Sequence, residues 1–299
     1  MRSISHTRQP DDGFDVFRLE KYEPMRVSAA LLLTCRRAYL ETHSLPLLRI
    51  EQCFYCYRDP SSGDLGSSPT DVSSFITDLY SNPAPVPGLR QADLVRSVRL
   101  FPRQSWLEDS FPSFVSTSIW FANIEHLRIT LRRSDWRDWV SYTTPRINPF
   151  RGSCKHSHTA SLMQSDMSTE GGNVEFARGA WGNAFSHMSK LKTLTIDFET
   201  CENKREWMEA VVAWALKWRF PLTNGQHLSS CGQPASKMSW QAILRGWVDR
   251  CESCGHYGQV NYPDGACLRC DKPHRLFLTR RRPQFFIWTC LWKRVRDMD

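Results

Sequence analysis

Ile124-Glu-His-Leu127-Arg-Ile129-Thr-Leu131 is the stretch on which the fold turns. After a lead-in residue, apolar side chains fall on alternate positions, the period of an extended chain with one buried face. The same phrase stands upstream as Val95-Arg-Ser-Val98-Arg-Leu100 and downstream as Leu191-Lys-Thr-Leu194-Thr-Ile196-Asp-Phe198. Apolar residues placed this way are what the strand of a leucine-rich repeat shows. The copies are unevenly separated, and the asparagine of a regular repeat is missing. Two readings stay open: a degenerate α/β repeat sheet, or three ordinary strands of one mixed sheet. Either gives an α/β chain, with mixed α+β as the variant, built on an irregular leucine-rich-repeat-like sheet with flanking helices.

Outward from these copies, the end of the chain carries another strand signal. Over 284–295, Phe286, Trp288, Cys290 and Trp292 alternate with Phe285, Ile287, Thr289 and Leu291. A strand apolar on both sides is buried on both faces, so residues 275–299 are expected to pack on the main domain. A helix is expected before Pro221. Asn203 and Glu206 have capping-box spacing, and Trp207, Val211, Trp214 and Trp218 form a stripe at helical intervals to pack on the sheet. Residues 240–248 look strand-like. Residues 144–182 are rich in Ser, Thr and Gly and read as a long surface insertion in a main domain of 71–250. Cys154, His156 and His158 inside it lack clean metal-ligand spacing. Residues 59–70 read as a linker, followed by a short helix over 72–79.

Cys251-Glu-Ser-Cys254 and Cys267-Leu-Arg-Cys270 are two C-x-x-C pairs separated by twelve residues. Four thiolates at this spacing suit a tetrahedral zinc ion, and they leave no coordination position open for catalysis. Gly255 suits the turn after the first pair, and Asn261-Tyr-Pro-Asp-Gly265 lets the segment fold back. A redox dithiol would follow a strand of a βαβ unit, and none precedes Cys251. Residues 251–274 are therefore expected to form a zinc-ribbon insertion near the C-terminus, with Cys251, Cys254, Cys267 and Cys270 holding a structural Zn2+. His256 and His274 are spare ligands. So short a segment buries little core of its own, and metal binding would supply much of its folding free energy. Cys53-Phe-Tyr-Cys56 lies in a strand-like run. Residues three apart on a strand face opposite ways, so these two are expected to be buried thiols and not co-ligands.

Residues 1–24 are polar and read as a flexible tail. Over 28–43, Leu31, Leu32, Cys35, Ala38, Tyr39 and Thr42 share one helical face, capped by Ser28 and stopped by Pro46. Leu31-Leu-Leu-Thr-Cys-Arg-Arg-Ala-Tyr-Leu-Glu41, followed by Leu45-Pro-Leu-Leu48, resembles the L-L-x-T-C-R-x-x-Y-x-E-x-x-x-L-P-L motif of a large group of uncharacterised fungal proteins, some described as F-box-like. The likeness extends to 49–57, to Asp135-Trp136 with Trp139, to Ile147-Asn-Pro149 and to Trp218-Arg-Phe-Pro221. It touches pieces of 25–222. It implies an F-box-like helix and strand over 25–58 and a protein partner, a ubiquitin-ligase scaffold among the candidates. It implies no established activity. Residues 22–27 lack the Leu-Pro and acidic opening of a genuine F-box.

With 299 residues, 41% of them apolar, 12 Trp and 16 Phe, the chain has material for one large core or two modest ones. Apolar runs such as 29–33 are far short of a membrane span, and no membrane role is expected. Met1-Arg-Ser-Ile-Ser-His-Thr-Arg8 lacks the apolar core of a secretory signal. Eleven cysteines, an odd number with four in metal-like spacing, suit a reducing intracellular setting, cytoplasm or nucleus. Net charge +8 favours acidic partners in general, and Arg280, Arg281 and Arg282 mark a basic turn. G-x-S-x-G, Walker, G-x-G-x-x-G and H-E-x-x-H motifs are all missing from the sequence. The function expected is therefore non-enzymatic: an interaction or adaptor protein with a structural zinc. The alternative is a nucleic-acid-associated zinc-ribbon protein that uses the three arginines. Oligomeric state is not legible in the sequence.

Overall fold

The three copies of the repeated phrase become neighbouring parallel strands. A computed structural model describes residues 16–17, 45–56, 81, 90–137, 146–152, 156–169, 174–223, 225–241, 243–244, 247–248, 258–261, 266–267 and 284–296. Its main sheet has eight strands: β1 Gln52–Cys56, β2 Ser97–Pro102, β3 His126–Leu131, β4 Thr193–Cys201, β5 Arg219–Pro221, β6 Gln226–Ser229, β7 Ser236–Gln241 and β8 Gln284–Arg296. The spatial order is β1-β2-β3-β4-β8-β6-β5, and β7 also pairs with β8. Strands β1 to β4 are parallel, while β6 is antiparallel to both β5 and β8. The fold is mixed α/β.

Register explains why these sequences pair. Val98 lies opposite Leu127, which lies opposite Leu194, and Leu100, Ile129 and Ile196 form the next rung. All six are at most 2% exposed. A slip of one residue would turn every one of them to the other side, so burial fixes the register. The lead-in residues Val95, Ile124 and Leu191 are buried as well. Each donates its N–H three residues back, to Ala92, Phe121 and Met188 respectively, so one kind of turn opens all three strands.

Five α-helices are described: α1 Leu45–Arg49, α2 Gln104–Asp109, α3 Phe111–Thr117, α4 His156–Ser168 and α5 Arg205–Ala215. The core is aromatic. Trp218 meets Trp181 at 6.0 Å, Trp214 at 5.2 Å, Phe220 at 5.9 Å and Trp292 at 6.2 Å between ring centroids. Such pairs add about 0.5–1.5 kcal/mol each beyond their buried area. Trp292 also donates its indole N–H to Trp218 O, tying β8 to the start of β5.

Several expectations change. Helix α5 starts at Arg205 without a side-chain cap, and Asn203 instead accepts a hydrogen bond from Cys201 Sγ. Its buried stripe is Met208, Val211, Val212, Trp214 and Ala215, whereas Trp207 is exposed. The helix stops six residues before Pro221, which itself lies in β5. Residues 144–182 are not simply a surface excursion. They hold α4, and Ile147, Phe150, Met163 and Trp181 are buried. Asp166 joins this segment together by accepting hydrogen bonds from Asn148 and Arg151. Residues 240–248 are divided among β7 and two short strands. Strand β8 forms as expected, one residue longer. The helices expected at 28–43 and 72–79 and the linker at 59–70 lie outside the described residues.

The chain divides into two compact units. One is Ser28–Met238 with Ile287–Asp299. The other is Met1–Val27 with Ser239–Phe286. In this second unit Val16–Phe17, expected as tail, pairs antiparallel with Ile243–Leu244. Trp247–Val248, Gly258–Asn261 and Ala266–Cys267 form a three-stranded antiparallel ribbon. Among the described residues no helix is long and apolar enough to cross a membrane.

Candidate functional site

The residues between the buried apolar ones face the other side of the sheet. On β1 these are Cys53 and Tyr55, on β2 Arg99 and Phe101, on β3 Arg128 and Thr130, and on β4 Thr195 and Asp197. Register sets Arg99 opposite Arg128 and Thr130 opposite Asp197. Asp197 is completely buried and organises the group. Arg128 Nε and Nη2 donate to its two oxygens at 2.7 and 2.9 Å, a bidentate fork. Arg99 Nη2 donates at 3.1 Å, and Thr130 and Thr289 each donate a hydroxyl at 2.7 Å. Arg99 Nε also donates to Thr130 Oγ1 at 3.0 Å. A carboxylate this deep must be paired, because an uncompensated buried charge is far costlier than a buried pair. Burial pushes the Asp197 carboxyl up, but the hydrogen bond and charge of Arg128, aided by Thr289 and Thr130, outweigh it and hold the group below the ordinary carboxylate range. Cys290, next to Thr289, is pushed up to about 12 by burial and then by the Asp197 charge, so it stays a neutral thiol.

Beside this network lies an aromatic platform. Tyr55 and Phe101 stack at 4.8 Å with an 18° interplanar angle. The Arg99 guanidinium lies 4.8 Å from the Phe101 ring, and that of Arg132 lies 5.5 Å from Tyr55 and 5.9 Å from Phe101. Arg132 is aimed by Asp135, to which its Nε and Nη2 donate at 2.8 and 3.0 Å. Burial raises the Asp135 carboxyl, and Arg132 only partly offsets that. Trp136 anchors the turn by donating its indole N–H to Glu199 O at 2.9 Å. Tyr55 is 40% exposed. Stacked Tyr and Arg offer a flat apolar surface together with donors for carboxylates, the composition of energetic centres in protein interfaces.

Of the expected metal ligands, Cys267 lies in the ribbon strand Ala266–Cys267, paired with Val260. Cys251, Cys254 and Cys270 lie outside the described residues, as do His256, His274, Arg280, Arg281 and Arg282. The ribbon's first hairpin joins Val248 to Gly258. Strand Ala266–Cys267 runs antiparallel to Gly258–Asn261, so it points toward that hairpin's connection. No cluster of three or more His, Cys, Asp or Glu suited to a metal occurs among the described residues. Cys53 and Cys56 do face opposite ways, but only Cys56 is buried, and Cys53 is exposed because β1 turns it to the polar face. His156 opens α4 and does not lie in a loop.

The Asp197 network was missed from the sequence, although a signal exists. Aligning the repeat copies puts Arg99, Arg128 and Asp197 at outward positions, where a lone acid among arginines on adjacent strands predicts pairing. Comparison with known proteins finds no similar one: no family model, no curated protein and no solved structure matches the chain.

Proposed function

We propose that the chain is a non-enzymatic intracellular adaptor whose polar sheet face binds a protein partner, similar in role to the F-box-like fungal group. The observation that carries this is the Tyr55–Phe101 stack with Arg99 and Arg132 over it, at the half-open edge of the parallel strands. In-register pairing of the three copies, with the same turn ahead of each strand, supports the irregular leucine-rich-repeat reading. Arg99, Thr130 and Asp197 on this face are buried, so the accessible part is the exposed Tyr55 with its neighbours, a compact anchor for a partner.

In the same reading Cys251, Cys254, Cys267 and Cys270 hold a structural zinc as thiolates. The direction of the Ala266–Cys267 strand supports bringing the second pair to the end of the ribbon from which the first springs. Bound there, the ion would cross-link a ribbon too small to hold itself together.

Affinity capture from cells, compared between the wild-type chain and Tyr55→Ala, tests the adaptor reading. Partners held by the platform should fall at least tenfold in the variant while its circular dichroism is unchanged. Ubiquitin-ligase scaffold components among the lost partners would give the F-box-like version. The same partners in the same amounts from both chains would overturn the reading.

A further inference from the structure

At the end of the sheet where β2, β3 and β4 begin, the repeated turns put Arg96, Glu125 and Lys192 at equivalent positions, one residue after each buried lead-in. They are joined rung to rung by backbone. Glu125 N and His126 N donate to Arg96 O at 2.9 and 3.0 Å, Lys192 N donates to Glu125 O at 2.7 Å, and Arg294 N donates to Lys192 O at 3.0 Å. The side chains follow the same ladder. Arg96 Nε lies 3.5 Å from Glu125, and Lys192 donates to the other oxygen of that carboxylate. Lys190 donates to Asn123 Oδ1 at 2.9 Å. Arg294 is pinned by donating to Leu191 O and Ser189 O, both at 2.7 Å.

Strand β8 extends this row. Register places Lys293 opposite Ser229, and Ser229 opposite Arg219. Lys190, Lys192, Lys293, Arg296 and Arg219 are all exposed. No carboxylate among the described residues pairs with Arg219, Lys293 or Arg296, and Glu125 is already shared between Arg96 and Lys192. Among the described residues the rim therefore carries more positive than negative side chains.

We propose that this basic rim docks the phosphate backbone of nucleic acid without reading base sequence. Protein interfaces are depleted in lysine and enriched in aromatics, whereas nucleic-acid interfaces are strongly basic and polar. Besides His126, whose ring bonds Thr193 Oγ1, the exposed side chains named along the rim are Lys and Arg, without Phe, Tyr or Trp to stack on a base, so the contacts favoured are to phosphate. The strands carrying Lys192 and Arg219 are three strand spacings apart, about 14 Å at ~4.8 Å each. That is enough to reach phosphates on both sides of a groove ~12 Å wide. The surface is distinct from the Tyr55 platform.

Fluorescence anisotropy of the full chain with a short mixed-sequence DNA duplex, between about 50 and 200 mM salt, tests it. Binding should weaken linearly in log–log form, with a slope near −0.9 for each phosphate contacted and at least three contacts, so about −3 or steeper. Replacing Lys190, Arg219, Lys293 and Arg296 with Gln should flatten the slope by about three contacts and weaken binding at least tenfold at about 100 mM salt. Both sequence-scrambled duplexes and the original should bind alike. No binding at the lowest salt, or an unchanged slope in the quadruple variant, overturns the proposal. So does stronger binding of polyglutamate or of phosphatidylserine vesicles than of DNA at equal negative charge, which would assign the rim to an acidic protein or a membrane. Capture of protein partners through Tyr55 stands or falls separately, because the substituted residues lie outside that platform.

Discussion

Asp197→Ala is the sharpest test of how the sheet is held. The carboxylate is fully buried, and it accepts from Arg99, whose side chain is 10% exposed, and from Arg128, 29% exposed. Removing it leaves the Arg99 guanidinium buried with only Thr130 as an acceptor among the groups that now surround it, and it strands the hydroxyls of Thr130 and Thr289. Breaking a buried pair from one side costs about 3–5 kcal/mol. Arg128 can turn toward water, which trims its share, while each lost hydroxyl bond adds about 1 kcal/mol. The expected loss is about 3–5 kcal/mol. Thr289→Val, which deletes one hydrogen bond and keeps shape, should cost about 1 kcal/mol. Urea unfolding at neutral pH, followed by tryptophan fluorescence and circular dichroism, measures both. The denaturant slope should stay constant, so that the midpoint shift reports stability alone. A loss below about 1 kcal/mol for Asp197→Ala, the value of an exposed pair, would refute the reasoning.

Three further outcomes are expected. Asp197 and Asp166 are both held below the ordinary range although burial works against it, by Arg128 in one case and by Arg151 and Asn148 in the other. Their contribution is complete above the unfolded carboxylate value of about 3.9 and is lost as pH falls through the lower folded values. Urea midpoints should therefore drop on acidification below about pH 4, and Asp197→Asn should make that drop shallower. Asp135, raised by burial, runs the opposite way, so its share is present at low pH and lost as pH rises through its folded value. An acid profile that Asp197→Asn leaves unchanged contradicts this account. Gly182→Ala would put a Cβ 2.6 Å from Phe176 Cε1 and 2.8 Å from Pro149 O, whose carbonyl also accepts the Gly182 N–H, so a loss of about 1–3 kcal/mol is expected in thermal melts. For the zinc, elemental analysis of reduced protein should find about one ion per chain, chelation should lower the melting temperature, and Cys251→Ser should reproduce that loss while Cys53→Ser does not. Undiminished metal in Cys251→Ser, or no metal in wild type, ends the assignment.

Much of the sheet is legible in the sequence because its strands repeat one apolar phrase, and burial then dictates register. The phrase at Ile124 predicts both β3 and its neighbours. Strand β8 is legible for a different reason, since only a strand covered on both faces can afford Phe286, Ile287, Trp288 and Trp292 together. The polar side was harder. Arg99, Arg128 and Asp197 lie far apart in sequence, and nothing local marks Asp197 as buried until the copies are laid side by side. The segment 144–182 misled because its apolar anchors, Ile147, Phe150, Met163 and Trp181, are sparse among serines and threonines, so no period emerges. At α5 the Trp pattern outweighed the equally good stripe through Met208 and Val212, and only packing against the sheet decides between them. Among the candidate metal ligands, the four-cysteine spacing remains the argument.

Hydroxyl-radical footprinting of the chain alone and with a captured partner tests the central claim, that the Tyr55 platform on the polar side of the sheet is the binding surface. Tyr55 and Trp207 serve as a matched pair, 40% and 39% exposed, on β1 and α5. On binding, Tyr55 should lose most of its reactivity and Trp207 should keep its own. Protection of Trp207 with Tyr55 unchanged would contradict the account and move the interface to the helix.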